Sequence, residues 1–290
     1  MARLNSFGSA LSRANDQIRP AKKMDTGLVF LLIGAGHYIL SPLLIGASHK
    51  IKANIAPLEI GPQDFPAKLA VFFETQARAL EQIGFHRTAY LRVPTAVTGA
   101  SARMESYVVT MFNRQTGDGA TITAILNVAS GIQQVTTQYV ELSTRYPDGR
   151  MFDTLNTQQL GAFGRIPSET KTRLPGQNDP RLLYALHRFV IARNNVAGRP
   201  LSTVENNAAT WLANEHSGSL DGQVRCGRYY LSKRTNEYRL TLKGAFLMSW
   251  SLMWPMSFFR RSAMHRRARK ILQEFRAANP SLPPLPPLPA

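Results

Sequence analysis

An α+β fold with an apolar helix ahead of it is what this sequence predicts, and three observations carry the prediction. Residues 27–47, "GLVFLLIGAGHYILSPLLIGA", hold no formal charge. Two β-rich runs, "ESYVVTMFNRQTGDGATITAILNV" and "TTQYVELSTRYPDGRMFDTLNT", are each broken by an Asp-Gly turn signal. Helical apolar spacing appears at 66–84 and again from Asp179 onward. With 290 residues, 44% of them hydrophobic, the chain can bury a substantial core, which excludes wholesale disorder.

A basic N-terminus, residues 1–24, precedes a helix expected over 25–49. About 20 apolar residues cross the roughly 30 Å of bilayer hydrocarbon, so this stretch is expected to act as a membrane helix. Gly34, Gly36 and Pro42 are compatible with that setting, where small residues let helices approach closely. A secretory signal peptide would carry a shorter apolar run and a small-residue cleavage site, and no clean one precedes His49-Lys50-Ile51-Lys52. His37, mid-run, is expected to be a neutral imidazole bonded to a neighbouring carbonyl.

Residues 50–175 are expected to form an α+β domain with two hairpins. Leu69, Phe72, Phe73, Ala77, Leu80 and Ile83 share one helical face and stop at Gly84, so this helix should cover a four-stranded antiparallel sheet. Asp118 and Asp148 stand beside glycines in turns that need positive φ, and are assigned to backbone geometry rather than catalysis.

Residues 176–243 follow as a helical part. Asp179 and Pro180 open one helix as cap and first residue, and Ser202 with Glu205 has the form of a capping box for a second. A strand, a polar turn at Lys233–Asn236, a returning strand and a helix start at Leu242–Gly244 come next. The phrase "YRLTLKG" resembles the closing segment of the wing in winged-helix regulators. That resemblance implies phosphate contacts from Lys233, Arg234 and Arg239, and so a possible nucleic-acid partner.

Residues 244–276 join an apolar run, "GAFLMSWSLMWPMSFF", to a basic one, "RRSAMHRRARKILQEF". The apolar run reaches only about 24 Å as a helix, short for a crossing. The whole is expected to be a continuous or Pro255-kinked helix lying along the membrane interface. Trp250 and Trp254 would anchor it at headgroup depth, and Arg260, Arg261, Arg266, Arg267, Arg269 and Lys270 would face anionic membrane lipid. Residues 277–290, with a proline at every third position from Pro280 to Pro289, are expected to form a flexible polyproline II tail.

Taken along most of its length, the chain resembles a family of uncharacterised bacterial membrane proteins. The matching features are the N-terminal hydrophobic helix, "QIGF" at Gln82–Phe85, the "DG" hairpin ending in "TLNT" at Thr154–Thr157, and "YRLTLKGAFLMSW" leading into "WP" and a basic stretch. The resemblance implies a membrane location and no particular activity.

A net charge of +17 suits polyphosphate backbones or an anionic bilayer surface, and the uncharged run favours the bilayer. One cysteine, Cys226, excludes an intramolecular disulfide and a cysteine-built zinc site, and the six histidines lack metal-ligand spacing. No metal, cofactor, nucleophile elbow or phosphate loop is expected. Glu215-His216 and His187-Arg188 are read as surface or satisfied polar residues. The function expected is a non-enzymatic protein of the bacterial inner membrane that recruits or organises a protein partner. Its basic tail and, with a single span, its soluble region would be cytoplasmic. A membrane-tethered winged-helix nucleic-acid binder is the alternative, and an enzyme acting on membrane lipid or peptide, with no constellation to nominate, is the third.

Overall fold

The computed structural model describes residues 26–94, 97–98, 103–129, 132–194, 200–201 and 207–281, with the backbone alone at 26–35, 37, 97, 98, 103, 129, 132 and 133. In chain order the elements are α1 (Thr26–Ser48), β1 (Lys50–Lys52), β2 (Leu58–Glu59), α2 (Ala67–Glu81), β3 (Phe85–Pro94), β4 (Val97–Thr98), β5 (Arg103–Asn113), β6 (Asp118–Ala129), β7 (Ile132–Arg145), β8 (Met151–Leu155) and β9 (Glu169–Arg173). These are followed by α3 (Pro180–Arg193), α4 (Ala208–Arg225), β10 (Tyr229–Ser232), β11 (Glu237–Leu240), α5 (Leu242–Leu252) and α6 (Met256–Ala278). The protein is α+β, as the turn signals and helical spacing predict.

Two units divide at Ser41, and the first contributes most of α1. That helix is 23 residues long with Pro42 inside, and in the first unit Ile39 and Leu40 are exposed. Among the described residues no helix is long and apolar enough to cross a membrane. The side chain of His37, the capping pair Ser202 and Glu205, the N-terminus 1–24 and the proline tail beyond 281 lie outside the described residues.

In the second unit a seven-stranded sheet runs β2-β3-β5-β6-β7-β8-β9, antiparallel except for the parallel pair β8/β9. Both expected hairpins form its centre: β5/β6 closes at Asn113↔Asp118 and β7/β8 at Arg145↔Met151. The first turn places its positive φ at Gly117 (73°), so Asp118 and Gly119 are already strand residues, while the second uses Gly149 (82°). The sheet is wider than the four strands expected, because β3 adds to β5 and β9 adds to β8.

One face of this sheet presents Val109, Met111, Ile122, Ala124, Leu126, Val140 and Leu142 at the two-residue period of a strand. Helix α2 lays Leu69, Phe73, Ala77 and Leu80 over it, α3 adds Leu183 and Leu186, and α6 adds Ala268, Leu272 and Phe275. Each such fully buried Leu or Phe stabilises the fold by about 1.5–3 kcal/mol. On the other face Ala89, Leu91, Val108 and Phe112 lie under α4 through Ala208 and Trp211. Asn207 caps α4 by accepting from the Thr210 amide, five residues after the expected capping serine.

A smaller antiparallel sheet runs β10-β11-β1-β4. The expected hairpin at 229–240 is present, but its partner is β1, the strand next to α1, and not a strand of a helical module. The two helices before the hairpin also join different cores: α3 packs on the large sheet's α2-covered face, and Trp211 of α4 on the opposite one. Asp179 caps α3, as the sequence predicts, and Thr241 caps α5, both through side-chain acceptance from backbone amides. Between α5 and α6 the helix breaks at 253–255, so the expected 244–276 segment is two helices.

Candidate functional site

The α5–α6 junction follows from how α5 is seated. Ala245 and Met248 pack with Tyr229, Tyr238 and Leu240 of the small sheet, with Leu220 of α4, and with Ile45 from the last turns of α1. Gly46 of α1 approaches α5 so closely that an added β-carbon would lie 3.1 Å from the Ala245 β-carbon. This leaves the other side of α5 and the start of α6 uncovered. Leu247, Trp250, Leu252, Trp254 (75% exposed), Met256, Phe258 (60%) and Phe259 face outward, and so do Leu43 and Leu44 (69%) of α1. Trp250 packs edge to face on Phe246 at 5.0 Å. Scattered exposed apolar residues are ordinary, but two exposed tryptophans and two exposed phenylalanines within ten residues form a patch of the kind that meets a partner or a bilayer.

The basic run divides in two. Arg261, Arg266 and Arg269 are exposed on the flank of α6, whereas half-buried Arg260 and the exposed Arg267 and Lys270 line a cleft of about 880 Å³ between α6, β9, the 160–165 loop and the ends of α3 and α4. Arg260 is a builder as well as a charge. Its guanidinium donates to the carbonyls of Ser251 (3.1 Å) and Gly161 (2.6 Å), tying the loop to the helix junction. Burial, and then the charge of Arg173, lower its pKa. The apolar side of α6, Met264, Ala268, Leu272 and Phe275, is protein core, so this side of the basic helix is turned inward.

The residues expected to touch nucleic acid lie on the β10–β11 hairpin. Lys233 and Arg234 are exposed at the tip of the β10–β11 turn. Arg239 sits mid-strand opposite Tyr230 and Lys50, and its Nη2 reaches Glu237 at 3.4 Å.

A polar cluster unforeseen in the sequence occupies the α4-covered face of the large sheet. Lys171 Nζ lies 3.5 Å from Glu141 and 3.2 Å from Glu169. Arg145 bridges Asp153, at 2.9 Å, to Glu215 of α4. Burial pushes the carboxyls of Glu141 and Glu169 up; for Asp153 burial does the same, but the charges of Arg145 and Lys171 outweigh it and hold the group low. The available signal was the alternation in "YVELSTR" and "ETKTR", which puts Glu141, Ser143 and Arg145, then Glu169, Lys171 and Arg173, on single strand faces. Two cations, Lys171 and Arg145, are thus shared among four carboxylates, and among the described residues no group of His, Cys, Asp and Glu could hold a metal ion.

The acid–base pairs on helices are satisfied structural groups. His187 is fully buried, with Nδ1 2.9 Å from Thr154 Oγ1 and Nε2 2.8 Å from Thr144 Oγ1, and burial lowers its pKa to about 4. Asp118, also fully buried, accepts from Thr144, from the Tyr184 hydroxyl at 2.8 Å and from Arg188 at 3.0 Å. Glu215 is committed to Arg145, and His216 Nε2 points to the Lys52 carbonyl at 3.3 Å, so this neighbouring pair diverges. Cys226 is a half-buried thiol at the end of α4.

The chain matches no protein-family model, no curated protein and no solved structure.

Proposed function

We propose that the chain is a non-enzymatic protein of the bacterial inner membrane that holds an α+β body against the bilayer for recruitment or organisation of a protein partner. The observation that carries this reading is the exposed apolar surface made by the end of α1, one side of α5 and the start of α6. Its occupant is the anionic membrane surface. α1 continues directly from Leu43 and Leu44 into an uncharged stretch, and the exposed Arg261, Arg266 and Arg269 follow the aromatic residues on α6. Aromatic side chains favour headgroup depth, and basic ones add about 1 kcal/mol each near anionic lipid. Each feature alone has ordinary explanations; their adjacency favours lipid over a soluble partner.

In this reading α1 is the anchor, the 244–259 segment lies in the interface, and the body is cytoplasmic with the basic helix. Fractionation of cells expressing the full chain tests it. The protein is expected in the membrane pellet after alkaline carbonate extraction, and recovery in the soluble fraction at ordinary salt would sink the proposal. Loss of residues 60–240 to protease added outside intact spheroplasts would overturn the cytoplasmic placement. The winged-helix reading keeps one supporting observation, the exposed pair Lys233 and Arg234. Duplex binding that falls steeply with salt would favour it, and no binding at low salt would remove it.

A further inference from the structure

The cleft beside β9 has a charge imbalance that the fold resolves only in part. Seven of its lining residues are basic and one, Glu169, is acidic. Internal compensation accounts for only part of the excess: Lys171 is bound to Glu141 and Glu169, Arg193 is bound to Glu274, and the charges of Glu141, Glu169 and Asp153 also act on Arg173, whereas the charge that acts on Arg260 is that of Arg173. Lys270 stands 4.0 Å from Glu274, at the limit of an ion pair. Arg173 and Arg260 are the inner pair. The Nε of Arg173 is buried without a hydrogen-bond partner, and the bonds of Arg260 go to backbone carbonyls, which leave its charge unneutralised. Two guanidinium groups held close in a partly desolvated cleft repel one another, and a buried N–H left unpaired costs further stability. An anion seated between them would remove both penalties.

We propose that this cleft is a binding site for a phosphate-bearing ligand, with Arg173 and Arg260 at its base and Arg267 and Lys270 at its mouth. Phosphate suits this donor set better than a single carboxylate does. It offers three oxygens and up to two negative charges to planar guanidinium forks arriving from different elements, here β9 and α6. Ala162, Phe163, Met264 and Ile271 add apolar wall, so the ligand carries an apolar portion next to its phosphate. The same chemistry has two sources, the headgroup of a phosphatidic-acid-type lipid or a soluble phosphate compound. The inference is independent of the membrane reading, because the charge imbalance exists whichever way the apolar surface is covered.

Calorimetric titration of the full chain in neutral detergent micelles tests it, with inorganic pyrophosphate as one probe and short-chain phosphatidic acid as the other. Saturable binding of either supports the site, and competition between them shows which source the cleft accepts. The decisive comparison uses two charge-matched variants of α6, neither of which removes a hydrogen-bond partner of Arg260. Arg267→Glu with Lys270→Glu lies in the cleft, and Arg261→Glu with Arg269→Glu lies on the exposed flank. The cleft pair is expected to weaken binding about tenfold or more, and the flank pair less than about twofold. Equal losses would reduce the effect to net charge and overturn the site, as would failure of both probes to saturate the parent protein. Arg173→Gln, with folding checked by its thermal transition, should likewise lose binding about tenfold.

Discussion

Gly244 meets Arg228 where only a hydrogen fits: a β-carbon at Gly244 would lie 1.9 Å from the Arg228 carbonyl oxygen. That oxygen is already engaged, accepting from the Thr241 amide at 3.1 Å, while the Gly244 amide donates to the Thr241 hydroxyl at 3.0 Å. The glycine of "YRLTLKG" thus lets α5 start directly against the β10–β11 hairpin, which fixes the direction in which Trp250 and the α6 junction leave the body.

Gly244→Ala must therefore push the helix start off the hairpin. The backbone carbonyl cannot yield as a flexible side chain would, and the expected cost is about 3 kcal/mol. Differential scanning calorimetry should show a transition lowered by roughly 6–12 °C. Gly218→Ala is the control, since a β-carbon there meets nothing within 4 Å on exposed α4 and helix propensity favours alanine. A transition unchanged in Gly244→Ala would mean that α5 is not seated as described.

His187 makes stability depend on pH in a definite window. Burial lowers its pKa from the ordinary 6.5 to about 4. Between those values the unfolded chain binds the proton and the folded one does not, so stability is fully present above about 6.5 and falls as pH drops toward 4. The expected loss between pH 7 and 4.5 is about 2–3 kcal/mol from this residue. Urea midpoints of the parent and of His187→Gln, taken at both pH values, isolate it from titrating carboxylates common to both. Parallel pH slopes in the two proteins would contradict the assignment.

Arg145 links α4 to the sheet by holding Asp153 and Glu215 together. Asp153 is 3% exposed, so Arg145→Met leaves a carboxylate that water cannot reach with Ser143 and the surrounding lysine charge as its support. Removing one partner of a buried pair costs about 3–5 kcal/mol. Asp153→Asn in the Arg145→Met background should recover roughly 1–3 kcal/mol by removing the stranded charge. Denaturant titrations of the parent, the two single variants and the double variant give the coupling, and additive effects would show that the pair does not bear on stability.

What was legible in the sequence is what local chemistry decides. The two central hairpins follow from two-residue apolar alternation and from turns that need glycine, at Gly117 and Gly149. Asp179, Pro180 and Thr241 mark helix starts by capping, which is equally local. The segments β3 and β9 were not legible, because "ETKTR" alternates charge with threonine, while "FHRTAYLRVP" has its two-residue period broken by a register shift between Arg87 and Ala89. The cleft was half visible. Arg260, Arg267 and Lys270 stood out as charges, but only the fold brings Arg173 from β9 beside them and turns Met264, Ala268, Leu272 and Phe275 inward. Whether an apolar helical face meets core or lipid is a long-range outcome that helical period does not contain.

The lipid contact proposed for the α5–α6 junction can be read through its tryptophans. The chain has three: Trp211 is buried at 8% exposure under the large sheet, while Trp250 and Trp254 are at 43% and 75%. In Trp211→Phe all remaining indole emission comes from the junction. Reconstituted into anionic vesicles containing lipid brominated high on the acyl chain, this variant should lose a large share of its fluorescence, because amphipathic indoles favour the headgroup boundary. Bromines near the bilayer centre should quench it less. In Trp250→Phe with Trp254→Phe the signal from Trp211 should be indifferent to brominated lipid, which excludes general contact of the body with the bilayer. Raising salt should leave quenching of the anchored full chain nearly unchanged, since apolar burial is not screened as surface charge is. Emission from Trp250 and Trp254 that ignores brominated lipid at every depth would mean that this surface is covered by something other than a membrane.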